Sequence, residues 1–442
     1  MKTFRGGIHP DGHKNATCAK PIVDLTPPEE LIYPLSQHIG APAVPVVKPG
    51  ESVLMGQKIA EAGGFVSCGI HASISGTVKA IEKRLHPSGT VMDCIIITND
   101  GKDTPDPALL QPKRDYKSLS SKDMITIIQE AGIVGMGGAA FPTHVKFSPP
   151  PEAHIDYVII NGAECEPYLT SDHRAMLETP DEIITGLCII LQIFGLEEGY
   201  IGIENNKPDA IAVLKEKTAQ CTEKTIHVVP VKTKYPQGAE KQLINAITGR
   251  KVKPGQLPWQ VGCIVSNIDT CASVMRAVVD HQPLMRRIVT IGGDALKNPM
   301  NYRVRIGTPF SYILNQSGGF SEEPQKIIMG GPMMGIAVPN ADVPVIKGTS
   351  GILAFGAESA RLDSELPCVR CAKCLYACPM NLQPNLLDKM ARADNFAALE
   401  KLHINDCIEC GSCAYVCPSK RRQVQQIKVA KIKMKNAQNK AQ

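Results

Sequence analysis

The sequence predicts a multidomain α/β protein, and three observations carry that prediction. The chain has 442 residues, too many for one ordinary core, so two to four domains are expected. From about residue 120, helical periodicity alternates with short apolar runs, the pattern of a parallel sheet covered on both faces. Near the C-terminus two tight cysteine runs mark a small separate module. Abundant Gly (37) and Pro (34) argue for many turns rather than long bundles.

Residues 44–82 read as short strands between Pro-Gly and Ser-Gly turns. Their V-x-P-G-x-x-V-x-x-G-Q-x-I and S-G-T-V segments resemble the barrel-sandwich domain of biotinyl and lipoyl carriers. Those carriers need a lysine at a hairpin tip, and no lysine lies between Lys58 and Lys79. The segment is therefore expected to be structural.

In the following region, helices are expected over residues 121–131, 180–194 and 207–219, and strands over 155–160, 200–203 and 226–229. Sheets of this kind hold ligands in loops at the carboxyl ends of their strands. Residues 132–146 form such a loop, with Gly132, Gly135, Gly137 and Gly138 close together. Glycines let backbone N–H groups approach an anion, and Lys146 can add charge, so either a phosphate cradle or simple tight packing follows. Asn161-Gly-Ala-Glu-Cys-Glu-Pro167 comes directly after the next strand. Glu164 and Glu166 there can hydrogen-bond ribose or ribityl hydroxyls or a nicotinamide amide, or can belong to a solvated turn. Asp172 and Arg174 are expected to pair with each other. Tyr235 either stacks on a planar ring or is a surface turn residue.

Cys368, Cys371, Cys374 and Cys378 are spaced C-x2-C-x2-C-x3-C and followed by Pro379; Cys407, Cys410, Cys413 and Cys417 repeat the spacing before Pro418. This is the bacterial ferredoxin pattern, in which the fourth cysteine ligates the other cluster. One [4Fe–4S] cluster is assigned to Cys368, Cys371, Cys374 and Cys417, and the other to Cys407, Cys410, Cys413 and Cys378. Structural zinc prefers paired Cys-x2-Cys sites and fits this doubled run poorly. Leu386, Leu387, Met390, Ala391, Leu399 and Leu402 give the linker helical periodicity. Paired clusters conduct single electrons but specify no reaction. The remaining cysteines (18, 68, 94, 165, 188, 221, 263, 271) are expected as buried thiols, and His9 and His13 as structural.

The net charge of +5 is concentrated at the end: residues 419–442 contain Lys420, Arg421, Arg422, Lys428, Lys431, Lys433, Lys435 and Lys440 and no acid. A basic tail on a neutral body argues against nucleic acid and for an anionic membrane surface or acidic partner, or else a frayed, solvated end. No stretch reaches the roughly 20 apolar residues of a membrane helix, and the N-terminus lacks an apolar signal region. The expected location is the cytoplasm or the cytoplasmic face of a membrane.

Together these segments resemble a known family. GMGGAAFPTHVK resembles the flavin loop of the FMN-carrying, NADH-binding subunit of respiratory complex I, and NGAECEPYLTSDHR resembles its N-x-D-E-x-E-P segment. IGTPFSYILNQSGG with KIIMGGPMMG resembles its β-grasp (SLBB) domain. With FRGGIHPDGHK, the barrel-sandwich segment and the doubled cysteine run, the combination resembles RnfC, the peripheral subunits of the Rnf ion-translocating electron transport complex. The resemblance implies a barrel-sandwich domain (1–112), an FMN/NADH-binding α/β domain (113–283), a β-grasp domain (284–345), a two-cluster helical ferredoxin domain (346–418) and a basic tail (419–442).

It further implies that Gly135, Gly137, Gly138 and Lys146 hold the FMN phosphate, that Asn161 faces the flavin, and that Glu164 and Glu166 line the flavin and nicotinamide pocket. NAD(H) is the implied substrate, and other Rnf membrane subunits, including a ferredoxin-like one, the implied partners. Nicotinamide exchanges two electrons and a cluster one; a flavin can do both, so it is the natural junction. Two residues depart from the complex I pattern: Met136 stands where it has arginine, and Ala163 where it has aspartate. Two other readings remain open, a cobalamin reductase of the propanediol-utilisation type and a flavin-free electron-conduit subunit.

Overall fold

The computed structural model describes residues 1–441, with side chains to residue 438; the Lys440 side chain lies outside the described residues. Near the N-terminus, Glu30–Pro34, Val91–Asn99, Gly76–Leu85 and Ser52–Val53 make an antiparallel four-stranded sheet. A three-stranded sheet of Val44–Pro45, Lys58–Glu61 and Ile70–His71 faces it. Alternation along Glu30–Pro34 sends Leu31 and Tyr33 into the core with Ile59, Ile70, Ile95 and Ile97, all fully buried. Tyr33 keeps its hydroxyl satisfied on Ser73 at 2.8 Å.

The parallel sheet has the order Thr225–Val231, Glu198–Glu204, Tyr157–Gly162, Cys263–Asn267. The chain enters at Tyr157–Gly162, moves outward through two strands, then returns to the other side at Cys263–Asn267. That reversal creates a crevice at the strands' carboxyl ends, where Asn161 and Asn267 are register partners. The anticipated helices form as Ser121–Glu130, Pro180–Phe194 and Pro208–Ala219. Ser120 caps the first through a reciprocal capping box with Asp123. Pro180–Phe194 is apolar all round because Ile268–Val278 crosses it. A Cβ at Gly186 would lie 2.0 Å from the Cys271 carbonyl oxygen, so only glycine permits the crossing.

A six-stranded sheet follows, ordered Ile22–Asp24, Met300–Arg305, Arg286–Gly292, Gly351–Phe355, Lys326–Met329, Ile336–Ala337. The helix Phe310–Gln316 covers it. Two of its strands, Ile22–Asp24 and Gly351–Phe355, come from outside residues 284–345.

The C-terminal module packs Pro384–Arg392 and Phe396–Lys401 through Leu387 and Leu399. The basic tail corrects the frayed-end reading: Gln423–Ala441 is helical, and Ile427, Ala430 and Met434 bury against Leu387 and Ile404. Several of its cations are paired within the molecule, Lys420 with Asp363, Arg421 with Asp388, Lys431 with Glu409 and Lys433 with Asp394. Of the scattered cysteines, Cys18, Cys165 and Cys221 are only partly buried, which corrects the uniform expectation; the other five are buried.

Lys347 stitches these parts together. Fully buried, it donates to the carbonyls of Gly69 (2.6 Å) and Gly132 (2.7 Å). Burial pushes its pKa down from 10.5 to about 8. Between those values the unfolded chain binds the extra proton, so the unfolding free energy rises with pH, by at most ~1.4 kcal/mol per unit. Denaturant titrations should show this rise in the natural chain and a flatter profile in Lys347→Met.

Candidate functional site

The glycine loop hangs over the crevice, pinned at its base and open at its tip. The Gly135 N–H donates to the Phe141 carbonyl at 2.7 Å, and the Met136 N–H to Thr270 Oγ1 at 2.8 Å. Gly137 takes φ +74°, and a Cβ there would lie 2.7 Å from Asn267 Nδ2. A Cβ at Gly138 would meet nothing within 4 Å, and Gly137, Gly138 and Ala139 are exposed. A backbone turn with free N–H groups at a strand-end crevice fits an anionic group.

Below the loop, Asn267 caps the helix Ile268–Val278 through Oδ1 and donates Nδ2 to Asp172 at 2.7 Å. Burial, then the nearby Glu164 and Asp269, push the Asp172 carboxyl well above the usual carboxylate range. Asp172 and Arg174 do not pair, contrary to expectation; Arg174 binds Glu178 one turn on, at 2.6 Å. Next to Met136 stands a buried arginine from the strand Arg286–Gly292: Arg287 reaches both Met136 Sδ and Asp269. Lys146 directs its ammonium to Glu240 (2.8 Å) and the Val265 carbonyl (2.9 Å), so its hydrogen bonds go to the flank of the crevice rather than to the glycine turn.

The acidic loop is more structural than its sequence implies. Asn161 spans it, donating to the Gly238 carbonyl (2.7 Å) and accepting from the Ala163 N–H (3.1 Å). Glu164 is buried and caps the helix Ser171–Glu178, accepting from the N–H groups of Asp172 (2.8 Å) and His173 (3.3 Å) and from Ser171 Oγ (3.2 Å). Glu166 accepts from the N–H groups of Met333 and Met334, each at 3.0 Å. Both carboxylates thus serve this chain's own donors, which corrects the picture of acids pointing freely at a sugar. Half-buried Lys14 supports the loop through the carbonyls of Glu164 (2.9 Å), Glu166 (2.9 Å) and Leu169.

Tyr235 is neither a surface turn nor a free stacking ring. It is 2% exposed. Its hydroxyl donates to the Cys410 carbonyl at 2.8 Å and lies 3.3 Å from Glu166 Oε1. The Met333 carbonyl packs on Gly411, where a Cβ would approach to 3.1 Å. The acidic loop, the loop around Met333 and the second cysteine run therefore meet at Glu166.

The eight clustered cysteines divide between two cavities. Cys368, Cys371, Cys374 and Cys417 line one, with Pro418 and Gln423. Cys378, Cys407, Cys410 and Cys413 line the other, with Leu382, Leu387 and Ile427. Left-handed turns at Arg370, Ala372, Glu409 and Gly411 wrap the loops around them. The Leu382 N–H points at Cys378 Sγ and the Glu409 N–H at Cys407 Sγ, each at 3.4 Å, the kind of donor that stabilises cluster sulfur. Among the described residues no three His, Cys, Asp or Glu side chains lie close enough to hold a single ion. Four thiols around each small cavity fit a cubane. The first cavity reaches the surface, where Cys368 and Cys371 are exposed; three of the four thiols of the second are buried.

Sequence reasoning missed Lys14, Asn267 and Met333. Lys14 and Met333 lie inside the segments FRGGIHPDGHK and KIIMGGPMMG, which carried the resemblance but disclosed no role for either residue, and Asn267 carried a signal as a capping residue shortly after the apolar residues Cys263, Ile264 and Val265.

Four described families match this chain: an RnfC barrel sandwich hybrid domain over residues 2–102, a Nuo51 FMN-binding domain over 128–276, an SLBB domain over 288–337 and a 4Fe-4S dicluster domain over 366–435. A component of the proton-translocating ferredoxin:NAD(+) oxidoreductase complex of Clostridium ljungdahlii is 49% identical, over 98% of this chain and 94% of that one. Its counterpart in the Na(+)-translocating ferredoxin:NAD(+) oxidoreductase complex of Acetobacterium woodii is 46% identical, over 97% and 96%. A chain of an NAD+-reducing [NiFe]-hydrogenase shares the fold, with a TM-score of 0.51 at 17% identity over 67% of this chain and 57% of that one. FMN and paired [4Fe–4S] clusters are the cofactors these domains take. With near-full-length similarity to those two components and its domains in this order, the chain belongs to the RnfC family of ion-translocating oxidoreductase complexes.

Proposed function

We propose that this chain is the NAD(H)-handling subunit of an ion-translocating ferredoxin:NAD+ oxidoreductase complex, seated on the cytoplasmic face of the membrane. Among the described residues no helix is long and apolar enough to cross a membrane, so ion movement is assigned to partner subunits. FMN, when bound, trades two electrons with nicotinamide and single electrons with clusters. In this reading the N–H groups at Gly137 and Gly138 hold its phosphate, Gly135 shapes the turn with its own N–H on the Phe141 carbonyl, and Asn161 shapes the crevice wall beside it. Lys146 supplies positive potential from the flank, already balanced by Glu240. Glu164 fixes the helix that presents Asp172 beneath the loop. Cys378, Cys407, Cys410 and Cys413 ligate the cluster nearer the flavin domain, and Cys368, Cys371, Cys374 and Cys417 the one at the surface.

The observation that carries this reading is the contact from Glu166 through the Tyr235 hydroxyl to the Cys410 carbonyl. It joins the acidic loop of the flavin domain to one cysteine quartet and so supports the reading that this quartet's cluster stands next to the crevice. The test is an anaerobic NADH titration of the FMN-loaded chain, followed by visible absorbance and electron paramagnetic resonance. Both clusters should become reduced. Clusters that respond to dithionite but never to NADH would leave only a conduit role.

A further inference from the structure

Behind the glycine loop lies a cavity of about 230 Å3, enclosed by the helices Pro180–Phe194 and Ile268–Val278 and by the strands Arg286–Gly292 and Met300–Arg305. Four guanidinium side chains, Arg276, Arg286, Arg287 and Arg303, line it together with Glu182 and Asp269. We propose that this cavity is a binding site for a small multivalent oxyanion bearing a phosphate or paired carboxylates.

The charges do not balance within the wall. Arg287 is neutralised by Asp269, both buried. Arg276 is shared between Glu182 and Asp269. Arg303 has only the exposed Asp24, at 2.9 Å. Arg286 has no ion pair among the described residues. It also stands directly across the antiparallel ladder from Arg305, which is paired with Asp103 at 2.6 Å, and Arg303 lies two residues away along the facing strand. Like charges opposite each other on paired strands are destabilising. Arg286 is exposed at the rim, yet desolvation, then Arg305 and Arg303 against the opposing Asp24 and Asp103, still disfavour its charge. An oxyanion bridging Arg286 and Arg303 relieves that repulsion, because each planar guanidinium offers two parallel donors to it.

The volume is below the roughly 300–1,000 Å3 of sites that enclose larger organic ligands, which favours a compact anion over a nucleotide. The site is also distinct from the flavin crevice. Arg287 and Asp269 form the partition, and the far side of Arg287 touches Met136 of the glycine loop. The bound anion would sit one guanidinium away from that loop.

The test is calorimetric titration of the full chain, loaded with FMN and clusters so that the glycine loop is occupied. The probes are inorganic phosphate, pyrophosphate and malonate at constant ionic strength. At least one should bind saturably, and the probe that binds assigns the ligand to the phosphate or the carboxylate class. Its Kd should rise at least tenfold in Arg286→Gln and in Arg303→Gln, whose melting temperatures serve as the folding control. Surface Lys48→Gln should bind as the natural chain does. Absence of saturable binding by every probe, or binding equally tight in both arginine variants, overturns the proposal.

Discussion

A chain carrying Cys374→Ser with Cys378→Ser should lose all of its cluster iron, whereas one carrying Cys378→Ser with Cys407→Ser should keep half. The first pair is close in sequence, within a single run, yet its members face different cavities. The second pair spans the helical linker, yet its members face the same cavity. A [4Fe–4S] cluster needs all four thiolates for full stability, so each pattern of loss follows from the shared cavity and not from sequence distance. Iron quantitation of the purified variants decides it. If each run held its own cluster, the results would be exchanged: half the iron would survive in the first variant and none in the second.

Glu166→Gln should slow NADH-driven cluster reduction at least tenfold and cost about 2–4 kcal/mol of stability. The carboxylate accepts from the Met333 and Met334 N–H groups and faces the Tyr235 hydroxyl. A glutamine offers one carbonyl oxygen, and its amide NH2 confronts a backbone donor. One N–H loses its partner, and the loop that rests on Gly411 is released. Stopped-flow absorbance after NADH addition measures the rate and denaturant titration the stability. Unchanged values in both would show that Glu166 is a bystander.

What the sequence disclosed and what it hid follow from the range of the interactions. The thiol quartets were legible because ligand spacing within a loop is local, and the exchange of the fourth cysteine is part of the motif. Pro180–Phe194 was legible at both ends because its proline start and glycine stop are local as well. The six-stranded sheet was not, since it pairs Ile22 with Asn301, and nothing near residue 22 announces a partner so distant. The roles of Glu164 and Glu166 were misread for a related reason. An acid at a strand's carboxyl end looks like a ligand, but the donors that occupy Glu166 arrive from residues 333 and 334. The role of Lys14 stayed hidden although it closes the segment FRGGIHPDGHK, because a lysine reads as surface until three carbonyls are found around its ammonium. The tail helix concealed an apolar stripe of Val424, Ile427, Ala430 and Met434 beneath its lysines; counted by period rather than by charge, it reads as a packed helix.

The order in which the two clusters receive electrons follows from where they lie. The Tyr235 contact places the cavity of Cys378, Cys407, Cys410 and Cys413 against the flavin domain, while Cys368 and Cys371 open the other to solvent. Freeze-quenched paramagnetic resonance after a single addition of NADH resolves the order, with Cys378→Ser and Cys417→Ser identifying each signal by its loss. The signal that disappears in Cys378→Ser should rise first, and the one that disappears in Cys417→Ser should follow. The reverse order would contradict the route through Glu166 and Tyr235.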